Sequence, residues 1–272
     1  MALKLKTIVN RVVGLGGYTL HKLSNDSTDY DQDGLWSIHN HEFMSDPEFR
    51  RAYERGIVAN GSDFKWDWRV HVGLWAAASA VKLEGDFVEC GVNRGFMSSS
   101  IMTYLNWNEL NKTFYLMDTF EGIDERYITH KENKKNILNR NVDDMYVKTP
   151  ETVKNNFSEW EDVKIIVGPI PETLDQANTE KVAYLHIDMN CAPPEVAAFN
   201  HFWGKLVPGA FVLLDDYAYK GYESQKAAMD EAASLKNAVS YTHLRAHETN
   251  DLISYAVFCV KKWGGGGGGG GG

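Results

Sequence analysis

A doubly wound α/β domain, with a mostly parallel sheet and a helical cap before it, is the fold this sequence predicts. Two observations predict it. From Gly85 onward, short apolar runs alternate with amphipathic segments, the pattern of a parallel sheet with right-handed crossovers. The first of those runs also passes into a glycine-containing turn ahead of a helix, the usual ligand edge of such a sheet. No segment of the chain repeats another.

The elements follow in order. The first 23 residues carry Lys4, Lys6, Arg11 and Lys22 and no acid, with Leu5, Ile8, Val9, Val12 and Val13 at helical spacing. A basic amphipathic helix of this kind suits a membrane surface; packing on its own domain or on a partner subunit is the reading we favour, and it makes a homo-oligomer through the N-terminal helices an expectation. The polar stretch Ser24 to Gly34 reads as a loop. Asp46-Pro47 opens a helix through Arg55, since proline's missing N–H is harmless in a first turn. Trp66 to Val81 reads as a second helix. Phe87 to Cys90 is the first strand of the sheet, followed by a helix from about Met97 to Leu105. Thr113 to Met117 is the second strand, closing at Asp118. Val163 to Val167, Val182 to Ile187 and Ala210 to Leu214 are the third, fourth and fifth. Helices Glu151 to Phe157, Pro194 to Trp203 and Tyr222 to Ala233 lie between or after them. A boundary near residue 62 would divide an N-terminal cap, 1–62, from a ligand-binding domain, 63–238.

Charge and composition exclude several functions. The 272 residues carry 28 Lys and Arg against 37 Asp and Glu, a net charge of −9. A nucleic-acid binder needs clustered Lys and Arg to track phosphates, so no nucleic acid is expected. No run approaches the roughly 18 to 20 apolar residues of a membrane span, and the N-terminus lacks the small-residue cleavage pattern of a secretory signal; a cytoplasmic location is expected. Cys90, Cys191 and Cys259 are widely spaced and form no CxxC, which argues against a disulfide framework or a structural zinc site.

The C-terminal stretch is of another kind. Nine of the 24 glycines form the terminal run Gly264 to Gly272. Before it, Val239-Ser-Tyr-Thr-His-Leu-Arg-Ala-His-Glu-Thr249 resembles, residue for residue, the translation of a transposase sequencing adapter, and Ile253 to Cys259 resembles a translated flow-cell adapter. Residues 239–272 are therefore expected to be read-through rather than native sequence, with the native C-terminal strands missing, and His243, His247 and Cys259 are excluded from any site. Leu252 to Val260 is nonetheless apolar and β-prone, so it is expected to be drawn to the sheet edge beside the fifth strand.

The candidate chemistry gathers at strand ends. The first strand runs into Glu89-Cys-Gly91-Val-Asn93-Arg94-Gly95. Against the dinucleotide pattern GxGxxG, counted from Gly91, only one of three glycines matches. Against the spacing ExGxGxG, Glu89, Gly91 and Gly95 match, and Asn93 is the non-glycine residue best suited to a left-handed turn. Asp118 ends the second strand, where a carboxylate can accept both hydroxyls of a ribose. Asp188 follows the fourth strand, and Asp215-Asp216 the fifth. Three carboxylates converging there repel one another, and a divalent cation with hard oxygen ligands, Mg²⁺, resolves the conflict.

These residues carry a resemblance. Glu89 to Gly95, Asp118-Thr-Phe-Glu-Gly122, Asp188 and the run from Leu206 through Asp215-Asp216-Tyr217 resemble the macrocin O-methyltransferase family, over about Asp63 to Ala233. The resemblance implies a class I, Rossmann-like enzyme that uses S-adenosylmethionine (SAM) and Mg²⁺ to methylate a hydroxyl of a sugar-containing small molecule. Carried over by position, it implies that Glu89, Gly91, Asn93, Arg94 and Gly95 surround the methionine part of SAM, that Asp118 meets its ribose, and that Gly168 completes the cofactor set. Asp188, Asp215 and Asp216 would hold the metal, with Asp188 as the catalytic base. Catechol-type relatives place a Lys where this chain has Cys191, and sugar-modifying relatives often carry a second acid where it has Asn190. His186 reads as a core histidine pointing away from the Asp188 face. The long polar insert Asp124 to Thr149, with Lys131, Lys134, Lys135 and Arg140, reads either as a cover over an anionic sugar derivative or as a solvated charged face. Tyr127 and Tyr146 are the insert's candidates for stacking on a sugar ring. A metal-independent SAM N- or C-methyltransferase and a non-catalytic nucleotide-binding module are the alternatives.

Overall fold

The computed structural model describes residues 30–133, 146–217, 219–236 and 256–259. The N-terminal basic segment, Lys134, Lys135, Arg140 and most of the adapter-like tail lie outside them. The chain divides into two units, Met1–His41 and Glu42–Gly272.

In the first unit, β1 (Tyr30–Gln32) and β2 (Leu35–Ser37) form an antiparallel hairpin. This corrects the loop expected for Ser24 to Gly34. Asp33 and Gly34 both take positive φ, 53° and 70°, the two-residue turn whose twist matches a hairpin.

The second unit opens with α1 (Pro47–Asn60) and α2 (Asp67–Ala80). Asp46 caps α1, its carboxylate accepting from the Glu48 and Phe49 N–H groups at 2.9 Å each. The sheet strands are β3 (Asp86–Cys90), β4 (Phe114–Asp118), β5 (Val163–Val167), β6 (Val182–Ile187), β7 (Leu206–Leu214) and β8 (Ala256–Cys259), in the order β5-β4-β3-β6-β7-β8. The first five are parallel. α3 (Phe96–Tyr104), α4 (Pro150–Asn156), α5 (Ala192–Trp203) and α6 (Glu223–Leu235) connect or follow them.

β7 starts earlier than Ala210. Val182 pairs with Leu206 while Tyr184 pairs with Phe211, so residues 207–210, Pro208 and Gly209 included, are absorbed as a bulge inside one strand. β8 runs antiparallel along β7, with Leu214 opposite Ala256 and Phe211 opposite Cys259. The adapter-like segment does take the edge position its β-prone composition suggested.

Side-chain alternation gives the sheet two covered faces. Phe87, Tyr184 and Leu213 join one core with α1, α2 and α3. Val88, Cys90, Leu185, Ile187, Val212 and Leu214 join the other, with Ala198, Phe199 and Phe202 of α5 and Met229, Ala232 and Ala233 of α6. Among the described residues no helix is long and apolar enough to cross a membrane.

Candidate active site

The carboxyl ends of four strands turn sharply. Asn93 after β3, Phe120 after β4, Asn190 after β6 and Asp216 after β7 all hold positive φ, between 50° and 59°. Left-handed non-glycine residues carry strain and cluster where a site demands them. Asn93 takes the conformation its residue type predicted. Gly91 is required for space as well as conformation: a Cβ there would stand 1.7 Å from the Asp188 carbonyl oxygen. The Asp188 N–H also donates to the Cys90 carbonyl at 2.8 Å. The glycine turn and the Asp188 loop are therefore one joint.

Register places the chemistry on one face. Glu89 of β3 lies beside His186 of β6. A ring nitrogen of His186 and carboxylate oxygens of Asp188 and Asp215 all lie within 4.8 Å of one another. This corrects the expectation that His186 points away from Asp188, because residues two apart along a strand share a face. His186 Nδ1 sits 2.8 Å from Glu89 Oε1, and both residues are buried at 2% exposure. Among the described residues, neither His186 Nε2 nor Glu89 Oε2 has a hydrogen-bond partner.

Arg69 of α2 completes the cluster. Its buried guanidinium pairs with Asp215 and stands 3.5 Å from Asp216 Oδ1, and it stacks over the Trp66 ring at 5.1 Å. Sequence reasoning missed it. The available signal was that Arg69 is the sole Lys or Arg of α2. Burial, then the charges of Asp215 and Asp216, push the Asp188 carboxyl well above the usual carboxylate range, and Arg69 offsets only part of this. Asn190 Nδ2 donates to Asp188 Oδ1 at 3.1 Å, so the residue in the second-acid position orients the first.

A cavity opens over this face. Glu89, Gly91, Asn93, Arg94, His186, Asp188 and Asp215 line it, with Asn60, Trp66, Arg69, Val70, Val92, Phe96 and Met97. Gly95, Asp118, Gly168 and Asp216 are not part of that lining. The Asp118 carboxylate instead accepts from the Val92, Asn93 and Phe120 N–H groups at 2.7, 2.8 and 2.6 Å. It thereby fixes the glycine turn. The Gly168 N–H donates to the Asp118 carbonyl at 2.9 Å.

The insert reaches the site at both described ends. Glu132 is buried; it accepts from the Thr129 N–H at 2.8 Å and hydroxyl at 2.6 Å, and from the Ala192 N–H, an orphan donor at the start of α5, at 2.8 Å. The Thr129-to-Glu132 spacing of a capping box was its legible signal. At the other end, the Val147 N–H donates to Asn93 Oδ1 at 2.8 Å. Burial and the nearby Asp188, Tyr222, Asp216 and Asp118 raise the Tyr146 hydroxyl pKa, so this ring stands in the field of the cluster. The Tyr127 hydroxyl donates to Glu172 at 2.5 Å, and Lys131 is exposed. Cys191 caps α5 with its thiol buried, and burial, then Glu195 and Glu132, push that thiol up.

A family model described as Macrocin-O-methyltransferase (TylF) matches residues 74–240. The chain belongs to that family. The match stops within two residues of the point where the adapter resemblance begins. Curated relatives include the 8-demethyl-8-(2,3-dimethoxy-alpha-L-rhamnosyl)-tetracenomycin-C 4'-O-methyltransferase of Streptomyces olivaceus, 29% identical over 49% of this chain and 53% of the relative. The Mycinamicin III 3''-O-methyltransferase of Micromonospora griseorubida is 27% identical over 49% of this chain and 55% of the relative. The chain thus spans about half the length of the curated relatives it matches. Among solved structures, the O-methyltransferase NovP shares the fold with a TM-score of 0.61 at 19% identity, covering 76% of this chain and 88% of its own. The calicheamicin methyltransferase CalS11 gives 0.53 at 13% identity, over 87% and 99%.

Proposed function

We propose that this chain is a SAM-dependent, divalent-cation-dependent O-methyltransferase acting on a hydroxyl of a sugar-containing small molecule, in the cytoplasm. The observation that carries the reading is the convergence of His186, Asp188 and Asp215 beside the Glu89–Gly95 turn, in a chain of this family. Both reported relatives are by name O-methyltransferases, and that of Streptomyces olivaceus names a rhamnosyl-bearing substrate, which supports a sugar hydroxyl as acceptor.

The residues fit a cation. A buried ring nitrogen without a partner, beside two carboxylates, is a donor set rather than packing. When bound, Mg²⁺ or a similar ion would supply Lewis-acid polarisation of the acceptor hydroxyl. SAM would supply the electrophilic methyl group.

The chain's own residues do the rest. Glu89, Gly91, Asn93, Arg94 and Gly95 form the turn proposed for the methionine part of the cofactor, with Asp118 and Gly168 behind it. Asp188, Asp215 and Asp216 are the cation's proposed holders. Asp188, oriented by Asn190, is the proposed acceptor of the hydroxyl proton. Holding donor and acceptor in line supplies much of the rate. Tyr146, in the field of the carboxylate cluster, is the proposed ring for stacking on a sugar. The N-terminal helices remain the proposed subunit contact.

Calorimetric titration with SAM and with NAD, followed by methyl-transfer assays with and without EDTA, tests the reading. SAM binding and loss of activity in chelator are expected; NAD binding without SAM binding would overturn it. The Arg69 pair with Asp215 favours one competing reading, a metal-independent SAM N- or C-methyltransferase, because it neutralises part of the cluster without an ion. Full activity in EDTA would select that reading.

A further inference from the structure

We infer that Arg69 is the resident counter-cation of this site, which a divalent ion must displace from Asp215 and Asp216 in order to bind, and that it thereby sets the ion's affinity. The inference rests on the cation dependence proposed above and leaves the proposed holders, Asp188, Asp215 and Asp216, as they stand.

Three observations carry it. The first is position. One guanidinium nitrogen of Arg69, Nη1, pairs with Asp215 Oδ2 and stands 3.5 Å from Asp216 Oδ1. A single positive atom reaching both acids stands where an ion held by both would stand. The Arg69 and Asp215 side chains are only 9% and 5% exposed, so a second cation brought beside them would be repelled with little water to screen it. The second is the helix end. Arg69 is the third residue of α2, counted from Asp67, and the start of a helix is the positive end of its dipole, where a cation is disfavoured. The acids, not the helix, hold it there. The third is a place to go. The guanidinium lies 5.1 Å from the centre of the Trp66 ring, and Arg69 and Trp66 both line the cavity. The ring is fixed: the Trp66 N–H donates to the Tyr53 hydroxyl at 2.9 Å, and the indole packs against Phe64 and Phe96, with centroids 4.8 and 5.5 Å away. The arginine can give up both carboxylates and keep its cation–π contact.

The two roles open to an arginine here differ in sign. Removing a residue that only orients Asp215 weakens ion binding, whereas removing a competing charge strengthens it.

The test uses the full chain and Mg²⁺ alone, without acceptor. In calorimetric titration, Arg69→Gln should bind Mg²⁺ at least about tenfold more tightly than wild type, with Arg69→Lys, which keeps the charge, in between. On the wild-type protein carrying isotope-labelled arginine, exchange of the Arg69 side-chain N–H protons with water, followed by nuclear magnetic resonance, should accelerate when Mg²⁺ is added. That measurement does not depend on any variant folding. Equal or weaker Mg²⁺ binding by a folded Arg69→Gln, or Arg69 N–H exchange that slows or stays unchanged in saturating Mg²⁺, overturns the inference: Arg69 would then share Asp215 with the ion, and the methyltransferase reading would stand. No Mg²⁺ binding in a wild-type protein that still binds SAM overturns the inference and removes the cation from the proposed function as well.

Discussion

The two faces of the same three strands differ by a shift of one residue and have opposite chemistry. Beneath α5 and α6, Val88, Cys90, Leu185, Ile187, Val212 and Leu214 form a continuous apolar surface. On the other face Glu89, His186 and Asp215 interrupt the run of Phe87, Tyr184 and Leu213. Each side also buries an acid, and their surroundings differ. Asp215 has Arg69 against it. Among the described residues, Glu195 of α5 accepts only from neutral donors, Gln225 Nε2 at 2.8 Å and the Met189 N–H at 3.3 Å. Burial pushes the Glu195 carboxyl up to about 8. An acid in the interior keeps its charge when a cation comes with it and otherwise gives it up. One face is scaffold, and the other is a place to hold charge.

That contrast can be broken by four measurements. Asp188→Asn should lower methyl transfer by about 10²- to 10⁴-fold while leaving the thermal midpoint unchanged or higher, since it removes like-charge repulsion; a large loss of stability would make Asp188 structural. Arg69→Met breaks a buried pair and should cost about 3–5 kcal/mol in urea denaturation of the cation-free protein. An added divalent cation should recover part of that loss, because Asp215 is the partner of Arg69 and a proposed holder of the ion; identical losses with and without the ion would mean that Arg69 and cation do not share carboxylates.

Leu185→Ala, on the apolar face, should cost about 2–5 kcal/mol with divalent-cation affinity unchanged. A shift in affinity would show that the faces are coupled. The smallest effect is one of pH. A carboxyl raised in the folded state contributes stability that is full below its unfolded pKa, near 4.3, and is lost as pH rises toward about 8. Glu195→Gln should therefore flatten the fall in stability between pH 5 and 8. Parallel pH curves for variant and wild type would refute the neutral acid.

The same contrast explains what could be read from the chain beforehand. Val182–Ile187 was legible to the residue because a buried parallel strand is a largely apolar run with sharp polar edges, whereas Val163–Val167, half-exposed at the sheet edge with Lys164 inside it, was legible from its β-branched residues. The start of β7 was not, because Pro208-Gly209 looks like a loop boundary while the bulge is set by pairing with β6. That Asp188 and Asp215 would come together was legible because both stand at strand ends, where a doubly wound sheet presents its ligands; Asp216 lies outside that group and outside the cavity lining. Arg69 and His186 needed tertiary information. Arg69 reaches Asp215 from a helix far earlier in the chain, and the value of His186 depends on Glu89 lying beside it across two strands.

Gly91 sets a limit on the sequences this fold can explore. Gly61, which closes α1 at φ 83°, has nothing within 4 Å of a hypothetical Cβ, so Asn is admissible there at small cost. Gly91 has a similar φ of 90°, yet its Cβ would fall inside the Asp188 carbonyl. In a saturation library the two glycines, alike in dihedral angle, should separate: a column that keeps Asn beside Gly at 61 and a single surviving amino acid at 91. Directed evolution toward new acceptors would have to leave that hinge alone and draw its variation from the walls of the cavity.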